Sequence, residues 1–272
     1  MEEDVMVATD ARGTDPGTMP VLEDGPGTHP AIAARLLERS LAPSARDVVG
    51  ARLRTRGVAR IGRAWWPYRG HEVTLPRHGY FRELRVAGVL RVVDSWVAGR
   101  ARRRTTLLGR CLHPALVGPD LARADLAHAA LSAMWVPSVL QPSESVCWSV
   151  EDRDTAAVAF DVAGTAARLR LTLHRGGLPR RVTTARWGDP DGSGFFRDVP
   201  FGVEVLEHRT FHGLTVPSTG VLGWRLDSPG PVREVLRFQI TDLEPVHATG
   251  PVLGEMCDLD AVPDDIAEGE IG

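Results

Sequence analysis

The sequence predicts a mainly β protein, a large curved antiparallel sheet or open β-barrel with one or two helices plugging its cavity. Three observations lead to this prediction. About a dozen short segments alternate polar and apolar residues at roughly 10-residue spacing. Glycine-containing turns such as Gly164 and Gly176-Gly177 separate several of them. Helices and strands do not alternate along the chain, which argues against a doubly wound nucleotide-binding fold.

A short helix opens the folded region. Apolar residues recur at helical spacing from Ala31 to Arg39, and Pro43 follows the end of this pattern. The pattern then changes at about residue 48, where Val49, Ala51, Leu53 and Thr55 alternate with polar residues in the period of a strand. Further strands are expected at 70–75, 80–86, 88–97, 100–108, 144–151, 155–162, 166–174, 180–187, 201–210, 213–216, 220–226 and 232–242.

One helix interrupts the predicted strands. Pro119-Asp120 offers a helix start, apolar residues follow at helical spacing, and Pro137 ends the segment, so a helix is expected over 119–135. We expect this helix to plug the cavity of the sheet.

The charge distribution divides the chain into three parts. Residues 1–28 carry seven acids and one Arg, and residues 251–272 carry seven acids and no base. Both segments lack apolar periodicity, so we expect disordered acidic tails at 1–28 and 251–272 around a single β-rich ligand-cavity domain at 29–250. The rest of the chain then holds 21 acids and 31 Arg, although the whole chain has a net charge of −3. A basic body favours an anionic ligand, and an arginine-coated surface is the alternative.

The absent residue types exclude several classes of enzyme. All 32 basic residues are Arg. Without Lys there is no Schiff-base chemistry, no pyridoxal-phosphate anchor and no P-loop lysine. The chain also lacks a Gly-x-Ser-x-Gly nucleophile motif and a Gly-x-Gly-x-x-Gly dinucleotide motif.

Neither a metal nor a cofactor is expected. His208 and His212 lie four residues apart, but their segment is predicted to be a strand and turn and not a helix. The loop that begins at Asp189 has Pro200 at the position where a calcium-binding loop has Glu. The run from Arg100 to Arg104 places three Arg on one strand face, which fits a phosphate or carboxylate site or, alternatively, a solvated edge strand. Nucleic acid is not favoured, since it would need aromatic and basic residues interleaved on one surface.

The chain's start and its cysteines indicate location. No basic segment followed by an apolar one opens the chain, and no apolar run reaches membrane-spanning length. Three cysteines, an odd number, fit a reducing compartment. We therefore expect a cytoplasmic protein without a membrane anchor.

Tryptophans and buried charges are the candidate site residues. In a curved sheet, indole rings can line a ligand cavity, and Trp96, Trp135, Trp148 and Trp224 are assigned to substrate binding, with core packing as the alternative. Asp94 follows apolar residues on a predicted strand. A carboxylate in an apolar pocket can act as a general acid or base, but buried carboxylates are also commonly bonded to Arg.

Several segments together resemble an uncharacterised bacterial family known only as a domain of unknown function. The resemblance rests on the following residues, in order from about residue 50 to residue 242: His71, Gly79-Tyr80-Phe81, Val93-Asp94-Ser95-Trp96, Gly99-Arg100, Met134-Trp135-Val136-Pro137-Ser138-Val139-Leu140, Val146-Cys147-Trp148, Asp154, Arg186, Pro200-Phe201-Gly202, Val216-Pro217-Ser218 and Trp224. It implies a β-rich fold similar to lipocalins and bacterial lipid-carrier proteins, whose curved sheet and helical lid enclose an apolar cavity. It implies no catalytic residues. Members often carry an N-terminal membrane anchor, which we do not expect here.

Two functions follow from these predictions. The first is a cofactor-independent cyclase or isomerase that folds a large apolar, acidic natural product such as a polyketide inside the cavity. Asp94 would move a proton, and Arg186 would hold an anionic group of this substrate. The alternative is a non-catalytic lipid or small-molecule binding or carrier protein that uses the same cavity. Both have an apolar or anionic small molecule as partner.

Overall fold

The computed structural model describes residues 30–260 of the chain, with side chains up to Met256. The helices are α1 (Ala31–Ser40), α2 (Pro119–Leu131) and α3 (Thr249–Asp260). The strands are β1 (Gly50–Ile61), β2 (Ala64–Leu75), β3 (Gly79–Val86), β4 (Leu90–Val97), β5 (Arg100–Leu107), β6 (Arg110–Cys111), β7 (Leu116–Val117), β8 (Val146–Val150), β9 (Thr155–Val162), β10 (Thr165–Leu173), β11 (Pro179–Gly188), β12 (Arg197–Phe211), β13 (Leu214–Trp224) and β14 (Arg233–Val246).

All fourteen strands belong to one antiparallel sheet. The order is β6-β5-β4-β3-β2-β1-β14-β13-β12-β11-β10-β9-β8, and β7 pairs with β5 on the same side as β6. Neighbouring strands in the sheet are therefore neighbours in the chain, except where β1 pairs with β14 and β5 with β7. The predicted fold class, a large curved antiparallel sheet with few helices, is confirmed.

The inner face of the sheet packs on α2 and the 3₁₀ turns that follow it, at Ser132–Trp135 and Pro137–Leu140. Burial alternates along strands such as β10, where Leu169, Leu171 and Leu173 are buried and the residues between them are not, because successive side chains point to opposite faces. Inward residues such as Tyr80, Trp96 and Phe238 join Trp135 in the main hydrophobic core. The segment that plugs the sheet is therefore the one predicted, although the α-helix ends at Leu131 and the remainder is 3₁₀ helix.

The outer face is covered at one end by α3. Met256 is fully buried there and packs in a second apolar cluster with Val73, Leu75 and Phe81. Arg52 on β1 and Glu255 on α3 form a salt bridge beside this cluster. The predicted C-terminal tail thus begins with a helix.

Two further predictions concern strand β13 and the N-terminal segment. The segments 213–216 and 220–226 join in one continuous strand, β13, because Pro217 and Thr219 still pair with β12 on either side of a bulge at Ser218. The predicted N-terminal tail, 1–28, lies outside the described residues.

Candidate functional site

Asp94 lies in a row of alternating charges on the inner face of the sheet. The register places Glu72, Arg82, Asp94 and Arg103 side by side on β2, β3, β4 and β5. The Arg82 guanidinium donates to Asp94 at 2.6 Å, and Arg103 donates to the other carboxylate oxygen. Asp94 is only 2% exposed.

These two arginines decide the protonation of Asp94. Burial by itself would raise the pKa of this carboxyl, but the charges and hydrogen bonds of Arg82 and Arg103 outweigh burial and hold the pKa well below its usual range. Asp94 is therefore a carboxylate whose two oxygens are both engaged. Such a group is a weak proton acceptor, so the geometry does not favour the proton transfer assigned to it.

Helix α2 continues the ionic network across the interior. The Asp125 carboxylate accepts from Arg103 on β5 and from Arg186 on β11, each at 3.2 Å. The Arg186 guanidinium also lies 4.5 Å from the Phe201 ring centre and 5.3 Å from that of Trp224. Burial lowers the pKa of Arg186, and Asp125 opposes this effect. The structure thus brings Arg186 and Trp224 together, as part of the ionic packing beneath α2.

Several charged residues of this network have no role in the sequence-based site prediction. His128 on α2 lies 3.0 Å from the Glu72 carboxylate and 4.4 Å, ring centre to ring centre, from Tyr80. One signal could have revealed this cluster: Glu72, Arg82 and Arg103 occupy strand positions whose alternation points inward, and Asp125 and His128 are three apart on one helix face.

The other predicted substrate-binding tryptophans hold the plug in place. The Trp96 indole donates to the Ala122 carbonyl at 2.9 Å, that of Trp135 to Pro217 at 3.2 Å, and that of Trp148 to Leu140 at 2.9 Å. Trp96 and Trp135 are buried, and Trp148 is partly buried. These rings pack the interior, and they do not line the groove described next.

The outer face of the sheet carries an open groove across β1, β2, β3, β13 and β14. It consists of two adjoining cavities of about 970 Å³ and 450 Å³, which share Arg56, Arg69 and Arg85. We call it the outer groove. Its apolar lining residues include Val58, Pro67, Ala87, Leu206 and Val221.

A row of arginines crosses the outer groove. The register places Arg56, Arg69, Arg85 and Arg91 directly beside one another on four successive strands. Directly opposed like charges destabilise a sheet. The inner row differs, because acidic and basic residues alternate there from β2 to β5.

Compensation of this positive charge is uneven. Glu83 accepts from Arg85 at 2.6 Å and from Arg91 at 2.7 Å, and these bonds outweigh burial and lower the pKa of Glu83. Arg56 donates only to the neutral Gln239 amide, at 2.8 Å. Within residues 30–260, neither Arg56 nor Arg69 has an acidic partner. The centre of the row is therefore positive and faces the cavity.

A third cavity, of about 880 Å³, lies beside α2 where β10 and β11 separate. The ladder between these strands begins only at Arg170 and Thr183. Its charged lining is largely paired: Arg123 with Asp198 and Arg170 with Glu151. It therefore offers less to a charged ligand than the outer groove does.

The described residues offer little for a metal ion or a membrane span. Over residues 30–260, no three His, Cys, Asp or Glu residues are grouped as metal ligands. In the same part of the chain, no helix has the length and apolar character required to cross a bilayer.

The fold and the grooves define a class: a β-rich protein built on one long curved sheet, plugged by a helix and carrying cavities large enough for a small molecule. The chain belongs to DUF6544, a family of unknown function, whose model matches residues 21–232. The family resemblance inferred from the sequence is thereby confirmed. No curated protein matches the sequence.

Solved structures similar to this chain include the following three. One is described as an outer membrane lipoprotein-sorting protein domain from Vibrio parahaemolyticus, with 10% identity, a TM-score of 0.42, and coverage of 82% of this chain and 95% of that one. The other is a LolA superfamily protein from Nitrosomonas europaea, with 11% identity and the same TM-score and coverage. A DUF1329 family protein from Desulfovibrio piger shows 8% identity, a TM-score of 0.36, and coverage of 80% and 92%.

Proposed function

We propose that this chain is a non-catalytic binding protein for a small anionic amphiphile, held in the outer groove. One observation carries the proposal: Arg56 and Arg69 stand side by side without an acidic partner among the described residues, inside the largest of the described cavities. An anion between them would relieve their repulsion and accept charge-assisted hydrogen bonds.

The apolar part of the ligand has a place beside the arginines. Val58 pairs with Pro67 and with Arg237, and Arg237 pairs with Val221, so the next row along the same face is mostly apolar. Arg237 itself is neutralised by Glu234 at 2.6 Å. An acyl or similar chain lying along Val58, Pro67 and Val221 would keep its charged end at Arg56 and Arg69.

The interpretation as a cyclase or isomerase of an acidic polyketide-like product rested on holding the substrate in a reactive fold and assigned proton transfer to Asp94. That carboxylate is buried, doubly paired and of lowered pKa. The geometry supports the binding role better, because a binding protein needs the groove but not a proton donor.

The test is calorimetric titration with three single-chain probes: dodecyl phosphate, dodecanol and dodecyltrimethylammonium. We expect binding of the phosphate alone. Arg56→Gln and Arg69→Gln should each weaken it by roughly tenfold or more, the loss typical of one charge-assisted hydrogen bond.

Arg60→Gln is the matched control, because Arg60 is exposed on β1 but does not line the groove. Equal binding of the three probes, or equal losses in Arg56, Arg69 and Arg60 variants, would contradict the proposal. Chemical turnover of a bound amphiphile that stops in Asp94→Asn would favour the enzyme instead.

A further inference from the structure

The edge of the sheet formed by β5, β6 and β7 exposes an unusual set of aliphatic side chains. Leu108 is 75% exposed, Val117 69% and Leu112 53%. They are spread along the side of β5 that faces away from β4: Val117 pairs with Arg102, Leu112 bonds to the Thr105 backbone, and Leu108 follows the last residue of the strand. We call this surface, with Val89, Leu107 and Leu116, the leucine edge.

The conformation of Leu108 adds a second observation. Among residues 30–260, five hairpin turns place a non-glycine residue at left-handed φ before a glycine, and four of them use Ala or His: Ala87, Ala98, Ala163 and His212. Leu108 occupies the fifth, with φ of 51°. A bulky residue is disfavoured there, and at this exposure it gains little burial in return. The folded chain alone gives no reason for a leucine at this turn.

The chain segment that forms most of the leucine edge carries charge of one sign. Between Asp94 and Asp120 the chain runs for 25 residues with five Arg and no acid. Arg103 turns inward to Asp94, while Arg100 and Arg110 are exposed. The surface thus combines exposed aliphatic groups with positive charge.

The leucine edge adjoins the outer groove. Ala87 and Gly88 line the groove, and the next residue, Val89, accepts a backbone hydrogen bond from Leu108 at 2.9 Å. A molecule leaving the groove past Gly88 would therefore meet the leucine edge first.

We propose that the leucine edge docks on an anionic lipid surface, with Leu108 and Leu112 entering the headgroup–acyl boundary and the neighbouring arginines contacting lipid phosphates. Aliphatic tips flanked by cations are the composition that such surfaces bind. Single-stranded nucleic acid stacks its bases on aromatic groups, and the exposed apolar residues of this edge are all aliphatic. Duplex nucleic acid is bound through its phosphates, which gives the exposed leucines no role. A second copy placed symmetrically would bring arginine against arginine.

The test is co-sedimentation of the full chain with vesicles of phosphatidylcholine, with and without phosphatidylglycerol, at low and high salt. We expect binding to the anionic vesicles, weakened by salt. The double variant Leu108→Asn, Leu112→Ser should reduce the partition coefficient by at least about tenfold, because each leucine loses its apolar burial. Asn tolerates left-handed φ, so this change does not threaten the turn.

The matched control is Phe195→Ser, Phe196→Ser, which removes two apolar side chains that are 76% and 58% exposed in the loop before β12. It should leave vesicle binding unchanged. Equal loss of vesicle binding in both double variants would overturn the proposal, as would equal binding to neutral and anionic vesicles. The proposal would also fail if the chain bound no vesicles but bound duplex DNA, and the leucine variant still bound that DNA.

This inference goes beyond the amphiphile-binding function and fails separately from it. Dodecyl phosphate should bind the leucine variant as tightly as it binds the unaltered chain, since Arg56 and Arg69 are untouched. Loss of vesicle binding with retained dodecyl phosphate binding supports the docking role. Retained vesicle binding in the leucine variant, whatever dodecyl phosphate does, contradicts it.

Discussion

Asp94 accepts hydrogen bonds from Arg82 and Arg103 in the interior of the protein, where water does not replace a hydrogen-bond partner that is lost. Replacing it by Asn leaves two guanidinium groups with a neutral partner in the interior. We expect Asp94→Asn to lower the free energy of unfolding by about 3–5 kcal/mol at neutral pH, measured by urea denaturation. Asp198→Asn, at a half-exposed pair with Arg123, should cost less than about 1 kcal/mol.

The lowered pKa of Asp94 also fixes a pH dependence. Its contribution to stability is complete above the pKa that the Asp94 carboxyl has in the unfolded chain, about 4. This contribution declines as the pH falls towards the lower pKa of the carboxyl in the folded protein. The unaltered protein should therefore lose stability on acidification below about pH 4, and Asp94→Asn should show a shallower loss. Parallel curves for the two proteins would mean that Asp94 is not the carboxylate responsible.

Arg69 leads to the opposite expectation for stability. It stands between Arg56 and Arg85 in the outer row, so its removal relieves repulsion in the empty protein. We expect Arg69→Gln to leave the melting temperature equal or raise it slightly, while dodecyl phosphate binding weakens. A variant that binds weakly because it is unfolded would show a lowered melting temperature instead.

At the scale of single residues, the sequence predicts which groups are buried better than what they contact. Asp94 and Trp96 can be placed inside from strand alternation alone. That Arg82 and Arg103 flank Asp94 depends on the register of β3, β4 and β5, which strand periodicity does not determine. The arginine row of the outer groove depends on register in the same way, and no candidate residue of the sequence analysis belongs to it.

The pairing of β1 with β14 requires glycine at position 57. A Cβ added there would lie 1.9 Å from the Arg237 carbonyl oxygen. We expect Gly57→Ala to lower the free energy of unfolding by about 3 kcal/mol or more, because backbone must move. Gly176→Ala is the control, since nothing lies within 4 Å of its added Cβ, and it should stay within about 0.5 kcal/mol in the same urea titration.

Helix α3 is held by apolar packing more than by its salt bridge. Met256 is fully buried against β2 and β3, whereas the Arg52–Glu255 pair is 30% and 41% exposed. Met256→Ala should cost about 2–5 kcal/mol, and Glu255→Gln less than about 1 kcal/mol. Hydrogen exchange should show early loss of protection in α3 for the first variant. If Glu255→Gln releases the helix equally, the packing argument is wrong.

At the scale of elements, the prediction identifies helix α1 and most of the strands, because their patterns are periodic. Helix α3 is missed for a physical reason. Its three acids and scattered apolar residues resemble a soluble tail, and its burial depends on an apolar strip of β2, β3 and β4 that tertiary structure creates.

For the whole molecule, Asp125 joins two distant parts of the sheet through α2. It binds Arg103 on β5 and Arg186 on β11, near opposite ends of the strand order. We expect Asp125→Asn to cost about 3–5 kcal/mol and to increase hydrogen exchange in β5 and β11 together. Increased exchange confined to β5 would show that the helix does not couple the two regions.

The strand order has a consequence for synthesis. Each ladder but one joins strands that the ribosome makes within a short interval, and the exception joins β1 to β14, the first strand and the last. While the chain is being made, one side of β1 stays unpaired until almost the whole protein has emerged. An open strand side of this kind attracts other nascent chains, and charged side chains suppress such contacts. Four of the twelve residues of β1 are Arg. Their charges therefore suppress wrong pairing of this strand during the long interval before β14 is made.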